Sequence, residues 1–266
     1  MKKIIFIFIT STLLCIEAFA GVSVMPVQLF IVNPEKQKST TLTLESVDES
    51  EKRIFEVKAF KWTQDERGEN ILEPDNNIMV NPKNFILQPN KKQTIRVGFI
   101  QPPSALLANK QEEAWRIIVD EIPPVIKESS VRFLVNLNLP LFLGKQDDLK
   151  LKFDLKDNKL IVQNNANSHL QILNLKIVDA NKKEVFKSDT MSYLLAKKNQ
   201  IYDLDNLKLT NSKNYYVQLN TDKNEKESNK IGRQFLIGVT AVVGLGIAGV
   251  VLPGWIRRRK QGQFYE

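Results

Sequence analysis

Few residues of the kinds that carry out catalysis are present in this chain. Its 266 residues include one histidine, His169, and one cysteine, Cys15. His169 follows a polar turn and is expected at the start of a strand. Neighbouring acids such as Asp120 and Glu121 point to opposite faces of a strand, so they are poor candidates for cooperating carboxylates. The sequence has no catalytic-triad spacing, glycine-rich phosphate loop or His-Glu-x-x-His motif. We predict that the protein is not an enzyme and holds no metal or cofactor.

A strand can also act through its backbone hydrogen bonds, and one segment of the sequence has a pattern suited to this. It is residues 129–144, SSVRFLVNLNLPLFLG. Every odd position from Val131 to Leu141 is apolar, whereas the even positions are mixed. This period of two predicts a long β-strand with one apolar face. Pro140 cannot donate to a ladder, which favours a strand at the edge of a sheet. A long apolar edge pairs readily with another chain, so the question is what covers it.

The N-terminus has the layout of a secretory signal peptide. A short basic start, MKK, precedes the apolar run IIFIFITSTLLCI and the small residues of AFA. We predict that residues 1–20 are a leader cleaved after Ala20; a buried N-terminal helix is the alternative. Since Cys15 lies in the leader, the mature chain is expected to have no thiol, which excludes disulfides and thiol catalysis.

Near the C-terminus lies a second apolar segment, Phe235 to Ile256. It carries no charge, is long enough to cross a bilayer, and is followed at once by RRRK. The positive-inside rule then places residues 257–266 in the cytoplasm as a tail. We predict a transmembrane helix over 235–256 that anchors the protein in the inner membrane; a buried globular helix is the alternative. The leader and the tail account for half of the formal charge of +8, and charges of both signs are mixed elsewhere, so no nucleic-acid partner is expected.

Between these ends the sequence consists of short alternating runs separated by polar turns. Residues 40–47, 53–62, 93–100 and 114–122 all have the pattern of strands. Charges cluster near 144–148, after which a second set of short strands follows. We predict a β-sandwich architecture with a boundary at that cluster. Residues 223–234 are polar and highly charged, which indicates a flexible tether.

The segment from Phe55 to Pro124 carries a more specific signal. It contains FKWTQ followed by an acidic and glycine turn, then NPKNFILQPNKKQTIRV, and then the aromatic–arginine strand WRIIVDEIPP. Together these motifs resemble the N-terminal domain of periplasmic pilus-assembly chaperones of the chaperone–usher pathway, and their details are similar to the archaic subgroup. The resemblance is strong over residues 21–145 and weaker beyond them.

That resemblance implies an all-β fold of two immunoglobulin-like sandwich domains in a boomerang, residues 21–145 and 146–222. In this family the last strand of the first domain is exposed and inserts alternating apolar side chains into an incomplete pilin subunit. The matching residues here are Val131, Phe133, Val135 and Leu137. The implied location is the periplasm, and the implied partners are pilin or coat-like subunits and an outer-membrane usher.

The family's second contact is a basic cleft that holds the C-terminal carboxylate of the subunit. In the best-known members an arginine of the first strand and a lysine form it, but the matching positions here are Gln28 and about Pro140. In the archaic pattern the aromatic–arginine strand offers the arginine, which is Arg116, and Lys145 is a second candidate. The alternative for Arg116 is a surface arginine that joins neighbouring strands.

Without the resemblance, the alternating strand has another interpretation. An interior sandwich strand packed on both faces has the same pattern. The protein would then be a membrane-tethered immunoglobulin-like binding or structural module of the cell envelope, with its edge covered by its own chain. Slow hydrogen exchange along residues 131–141 would distinguish this module from a chaperone.

Overall fold

The described part of the protein is built from β-strands. The computed structural model describes residues 21–124, 133–147, 149–204, 215–223, 226–231 and 240–242, the last two ranges as backbone only. Within these ranges there are two short 3₁₀ turns, Pro103–Leu106 and Ala108–Lys110, and no α-helix. The all-β class predicted from the sequence is confirmed for this part of the chain.

Ten strands come from the first half of the chain. They are β1 (Gly21–Met25), β2 (Leu29–Ile31), β3 (Ser39–Val47), β4 (Arg53–Gln64), β5 (Asn70–Pro74), β6 (Ile78–Asn81), β7 (Asn84–Leu87), β8 (Lys92–Phe99), β9 (Glu113–Glu121) and β10 (Asn136–Leu143). One sheet has the order β1-β3-β8-β6, and the other has the order β2-β10-β9-β4-β5 with β7 beside β4. We call this pair of sheets the first sandwich.

Alternation along these strands explains why the two sheets pack face to face. In β3, Leu42 and Leu44 are fully buried while Thr43 between them is partly exposed. In β9, Trp115, Ile117 and Val119 form the inward row. Since strand side chains alternate between faces, each sheet presents one apolar face, and the two faces enclose a single core.

The second half of the chain forms another pair of sheets, the second sandwich. Its strands are β11 (Leu151–Lys156), β12 (Lys159–Asn164), β13 (Leu170–Asp179), β14 (Glu184–Ser188), β15 (Ser192–Leu194), β16 (Asn199–Asp203), β17 (Tyr215–Thr221), β18 (Lys226–Ile231) and β19 (Thr240–Val242). One sheet is β11-β12-β16; the other is β14-β13-β17-β18-β19, with β15 beside β13. Asp157 and Asn158, both at positive φ, make the two-residue turn between β11 and β12, as is typical of tight hairpins.

The structure agrees with the sequence in the interior of the chain and differs at its C-terminal end. The four strands predicted in the first half are observed as β3, β4, β8 and β9. Residues 226–231, predicted as part of a tether, form a strand paired with β17. Of the predicted transmembrane helix, only Thr240–Val242 is described, and these residues form β19 rather than helix. The predicted leader, residues 1–20, lies outside the described residues.

Candidate functional site

One edge of β10 is open over much of its length. Along one side, Asn136–Leu143 pairs with β9 in antiparallel register. Along the other side, β2 pairs only with Leu141–Leu143. In the described part of the chain, no strand lies beside Asn136–Pro140 on that second side. The strand is therefore a sheet edge here, as Pro140 predicted. Of the predicted range of 129–144, residues 133–135 are described and are not part of the strand, and residues 129–132 lie outside the described residues.

The backbone groups on this open edge belong to the even-numbered residues. Glu121 N donates to the carbonyl oxygen of Val135 over 2.9 Å, so the odd-numbered residues of β10 direct their polar groups toward β9. Gly144 N donates to Ile31 O over 3.0 Å on the opposite side, which confirms the parity. Asn136 and Asn138 therefore present both N–H and C=O to the open side. Pro140, which has no N–H, interrupts the open edge without removing a bond to β9.

The odd-numbered side chains become more buried along the strand. Phe133 is 87% exposed, Val135 and Leu137 pack partly against the first core, and Leu139 is 6% exposed. Three of the four residues predicted to enter a subunit thus lie where the apolar row emerges from the sandwich. The fourth, Val131, lies outside the described residues.

Arg116 lies on the outer face of β9, opposite Pro140 of β10. Its guanidinium carbon is 3.6 Å from the ring centroid of Trp62 and 5.1 Å from that of Tyr193. Burial lowers the pKa of Arg116 from its ordinary value, but an arginine remains charged at neutral pH. Among the described residues no acid pairs with it. The arrangement is a partly desolvated cation, held by aromatic rings, with its charge uncompensated.

Tyr193 reaches this place from the second sandwich. Burial raises the pKa of its hydroxyl, an effect that a hydrogen bond from Gln28 and the charge of Arg116 oppose. Gln28 Nε2 donates to Tyr193 Oη over 2.9 Å. Gln28 therefore orients a neutral hydroxyl at this place. No local pattern in the sequence marks Tyr193, because its neighbours in space are distant along the chain.

Gln64 fixes the backbone next to Tyr193. Its side chain is buried, its Nε2 donates to Tyr193 O over 2.7 Å, and its Oε1 accepts from Leu195 N over 2.9 Å. One amide thus joins the end of β4 to the segment of the second sandwich that carries Tyr193. The position of Tyr193 relative to Arg116 depends on this contact.

A buried polar pair lies between the two sandwiches. His169 Nδ1 and Glu112 Oε1 are 2.7 Å apart, and both side chains are 1% exposed. The same carboxylate oxygen accepts from His169 N over 2.9 Å, and the imidazole stacks on Phe142 with centroids 3.4 Å apart. His169 precedes β13, as predicted for a strand start, and its contacts are those of a residue that holds two units together.

Lys145, the second predicted cation, is exposed and lies beyond the end of β10. Arg116, in contrast, lies opposite the middle of the strand. No described residue forms a salt bridge with Lys145. The structure therefore places the two candidate residues in different surroundings, and the role of each remains a prediction.

Other kinds of site receive no support from the described ranges. They contain no group of three or more His, Cys, Asp or Glu side chains arranged to hold a metal. No helix among the described residues has the length and apolar composition needed to cross a bilayer. The expected anchor falls almost entirely on residues outside this part of the chain.

Residues 23–144 match the family model for pili and flagellar-assembly chaperones, PapD N-terminal domain. The resemblance to chaperone–usher pilus chaperones is thereby confirmed. Comparison with curated protein sequences finds no match.

Solved structures are similar over most of the chain. A chain of the CsuC–CsuE chaperone–tip adhesion subunit pre-assembly complex, from the archaic Csu pili of Acinetobacter baumannii, is 17% identical with a TM-score of 0.60, covering 80% of this chain and 99% of that one. The E. coli chaperone DraB is 16% identical with a TM-score of 0.54, and the match covers 80% of this chain and 97% of that one. A chain of the Salmonella enterica SafA pilin–SafB chaperone complex is 13% identical with a TM-score of 0.53, and the match covers 76% of this chain and 91% of that one. At these identities the likeness shows a shared fold.

Proposed function

We propose that this protein is a periplasmic chaperone that folds, caps and delivers pilin-like subunits by donating the open edge of β10. The observation that carries the proposal is the combination of an edge of β10 at Asn136–Pro140, beside which no described strand lies, and an apolar row that becomes exposed at Phe133 just before that strand. A subunit that lacks a strand has an apolar groove and unpaired backbone groups. Strand addition satisfies both at once.

The exposure gradient indicates which side chains would enter the subunit. Burying a large apolar side chain that is exposed in the free protein stabilises a complex by roughly 1.5–3 kcal/mol. Phe133 can contribute most of this because it is 87% exposed. Val135 and Leu137 contribute less, since part of their surface already packs against the first core.

The partly buried cation gives the proposal a second contact. We assign the subunit's C-terminal carboxylate to Arg116, whose charge has no acidic partner among the described residues. A guanidinium binds a carboxylate through two parallel hydrogen bonds, and partial desolvation strengthens them. Lys145 remains the second candidate for this role.

Other parts of the proposal rest on the sequence and the family. They are the domain boundary after residue 145 and delivery to an outer-membrane usher. The inner-membrane anchor predicted at residues 235–256 gains no support from Thr240–Val242, its only described residues, which form β19. An envelope module with a covered edge is the competing function. The absence of a partner strand beside Asn136–Pro140 in the described chain favours the chaperone.

Co-expression with a candidate pilin-like subunit, sought among the neighbouring genes, tests strand donation. Phe133→Glu should reduce recovery of the one-to-one complex, because the groove would have to accept a carboxylate. The double change Phe133→Glu with Val135→Glu should abolish recovery. Met79→Glu is the matched control, since Met79 is 52% exposed on β6 in the opposite sheet. Unchanged recovery of subunit with the double variant would show that strand donation is not how this protein acts.

A further inference from the structure

A buried carboxylate lies at the place where the candidate donor strand joins the sheet. Glu121 is the last residue of β9, and its side chain is 1% exposed. Its Oε2 accepts from Arg53 Nη1 over 2.9 Å and from the backbone N–H of Val135 over 3.0 Å. The two subunit contacts proposed above, the open edge of β10 and Arg116, do not use this carboxylate.

Both backbone polar groups of Val135 are directed to Glu121. The carbonyl oxygen of Val135 accepts from Glu121 N over 2.9 Å, as in an ordinary antiparallel ladder. In such a ladder the N–H of Val135 would donate to the backbone carbonyl of Glu121. Here it donates to the carboxylate, so a side chain supplies the acceptor at the first bonded position of the strand.

Arg53 holds this carboxylate from the far side of β9. It lies at the start of β4, its side chain is 14% exposed, and its Nη2 also pairs with Glu49 Oε1 over 2.6 Å. The Glu121 carboxylate therefore receives one charged donor from β4 and one neutral donor from the β10 side. A buried charge that loses such a donor is strongly disfavoured, so the pairing of Val135 with Glu121 is the favoured alignment.

We infer that Glu121, held by Arg53, is a positioning residue that locks the register of β10 against β9. A slip of one residue would turn the apolar row to the wrong face. A slip of two residues keeps the apolar row on the same face but shifts Phe133 and the open edge relative to Arg116. The Glu121 carboxylate opposes this slip, because it would lose the N–H of Val135 as a donor. The use of this register in subunit capture rests on the proposed function, whereas the register itself does not.

Disulfide trapping in the isolated full chain, in a Cys15→Ser background, tests the inference. Asp120→Cys with Asn136→Cys reports the observed register, in which these residues face each other. Asp120→Cys with Asn138→Cys reports a slip of two residues. Both reporters lack the side-chain bond between Asn136 and Asp120, so they are matched in that respect.

With Glu121 intact, we expect the first reporter to form its disulfide and the second to form it only slowly. In Glu121→Ala the second reporter should form its disulfide about tenfold faster, and the amide of Val135 should exchange about tenfold faster. Glu121→Gln keeps an acceptor but loses the charge, and should fall between. Glu113→Ala removes another acid of β9, whose partner is Lys61, and should change neither reading.

The inference is overturned if Glu121→Ala traps only the observed register and leaves exchange at Val135 unchanged. Should that variant fail to fold, Glu121→Gln decides the matter by the same two readings. Neither reading needs a subunit. If Glu121→Ala releases the register but the wild-type chain captures no subunit, the proposed function is refuted and this inference stands.

Discussion

Replacement of Arg116 by alanine is the most direct test of the carboxylate site. In the free protein the guanidinium stacks on Trp62, is partly desolvated, and meets no acid among the described residues. Part of the cost of removing water from the cation is therefore already present before a subunit binds. A carboxylate that arrives should recover more of the pairing energy than it would at an exposed arginine.

The size of the effect follows from that geometry. Truncating one partner of a hydrogen-bonded charge pair at a buried interface costs about 2–5 kcal/mol. Because Arg116 is only partly buried, we expect a value of about 3 kcal/mol, or roughly a 150-fold rise in Kd. Arg116→Lys keeps the charge and loses the planar fork, so its Kd should lie between those of the wild type and the alanine variant.

Titration calorimetry with two forms of the subunit gives the assay. One form has a free C-terminal carboxylate and the other a C-terminal carboxamide. Arg116→Ala should weaken binding of the first form and scarcely affect the second. Lys145→Ala serves as the matched variant, since it removes the exposed cation beyond the end of β10. If Lys145→Ala shows the selective loss instead, the anchor is Lys145.

An equal loss for both forms of the subunit would refute the assignment, because it would show that Arg116 acts by packing. Stability gives a separate check. Loss of the contact with Trp62 costs about 0.5–2 kcal/mol, and removal of a partly desolvated cation offsets some of it. The free energy of unfolding of Arg116→Ala should therefore fall by about 1 kcal/mol or less.

Three further outcomes are expected. In the free protein, the amides of Asn136 and Asn138 should exchange faster than those of their odd-numbered neighbours and become protected when a subunit binds; equal protection beforehand would favour a covered edge. Gln64→Ala should lower the free energy of unfolding by about 2–4 kcal/mol in urea titrations, because it leaves buried backbone groups unpaired, whereas exposed Gln88→Ala should change it by less than about 0.5 kcal/mol. Burial raises the pKa of Tyr202 from its ordinary value of 10.0. The neutral hydroxyl therefore contributes its full stability below that pH, and the contribution is lost as the pH rises through the raised pKa. Tyr202→Phe should flatten the alkaline decline of the unfolding free energy, and an unchanged decline would contradict this.

The strand that carries the proposed function could be predicted in kind but not in extent. A period of two predicts the faces correctly as far as Leu139, which is buried while Asn136 and Asn138 are exposed. Beyond it the even-numbered Pro140 and Phe142 are buried as well, because Phe142 packs in a separate cluster with Trp62. The pattern cannot show where pairing begins, because that depends on Glu121, a residue of a different strand. It also cannot show where the open edge ends, since β2 comes from far earlier in the chain.

The surroundings of Arg116 show a similar limit. The motif WRIIVDEIPP identified the arginine, and alternation places it on the face opposite Trp115. Tyr193 and Gln28 could not be assigned to it, because Tyr193 comes from the second sandwich and Gln28 reaches the place through Tyr193, 165 positions away along the chain. His169 was correctly expected at a strand start, but its contact with Glu112 has no signature in the local sequence.

The position of Pro140 sets a limit on any strand that adds to β10. Asn136 and Asn138 can exchange both kinds of bond with such a strand, whereas Pro140 has no N–H to donate, and directly across from it on β9 lies Arg116. Regular pairing on the open edge therefore ends at Pro140, level with Arg116, and β2 occupies the edge from Leu141 onward. Under the proposed function, a strand that adds to β10 can therefore pair regularly beside Asn136 and Asn138 but cannot continue past Pro140, where β2 begins.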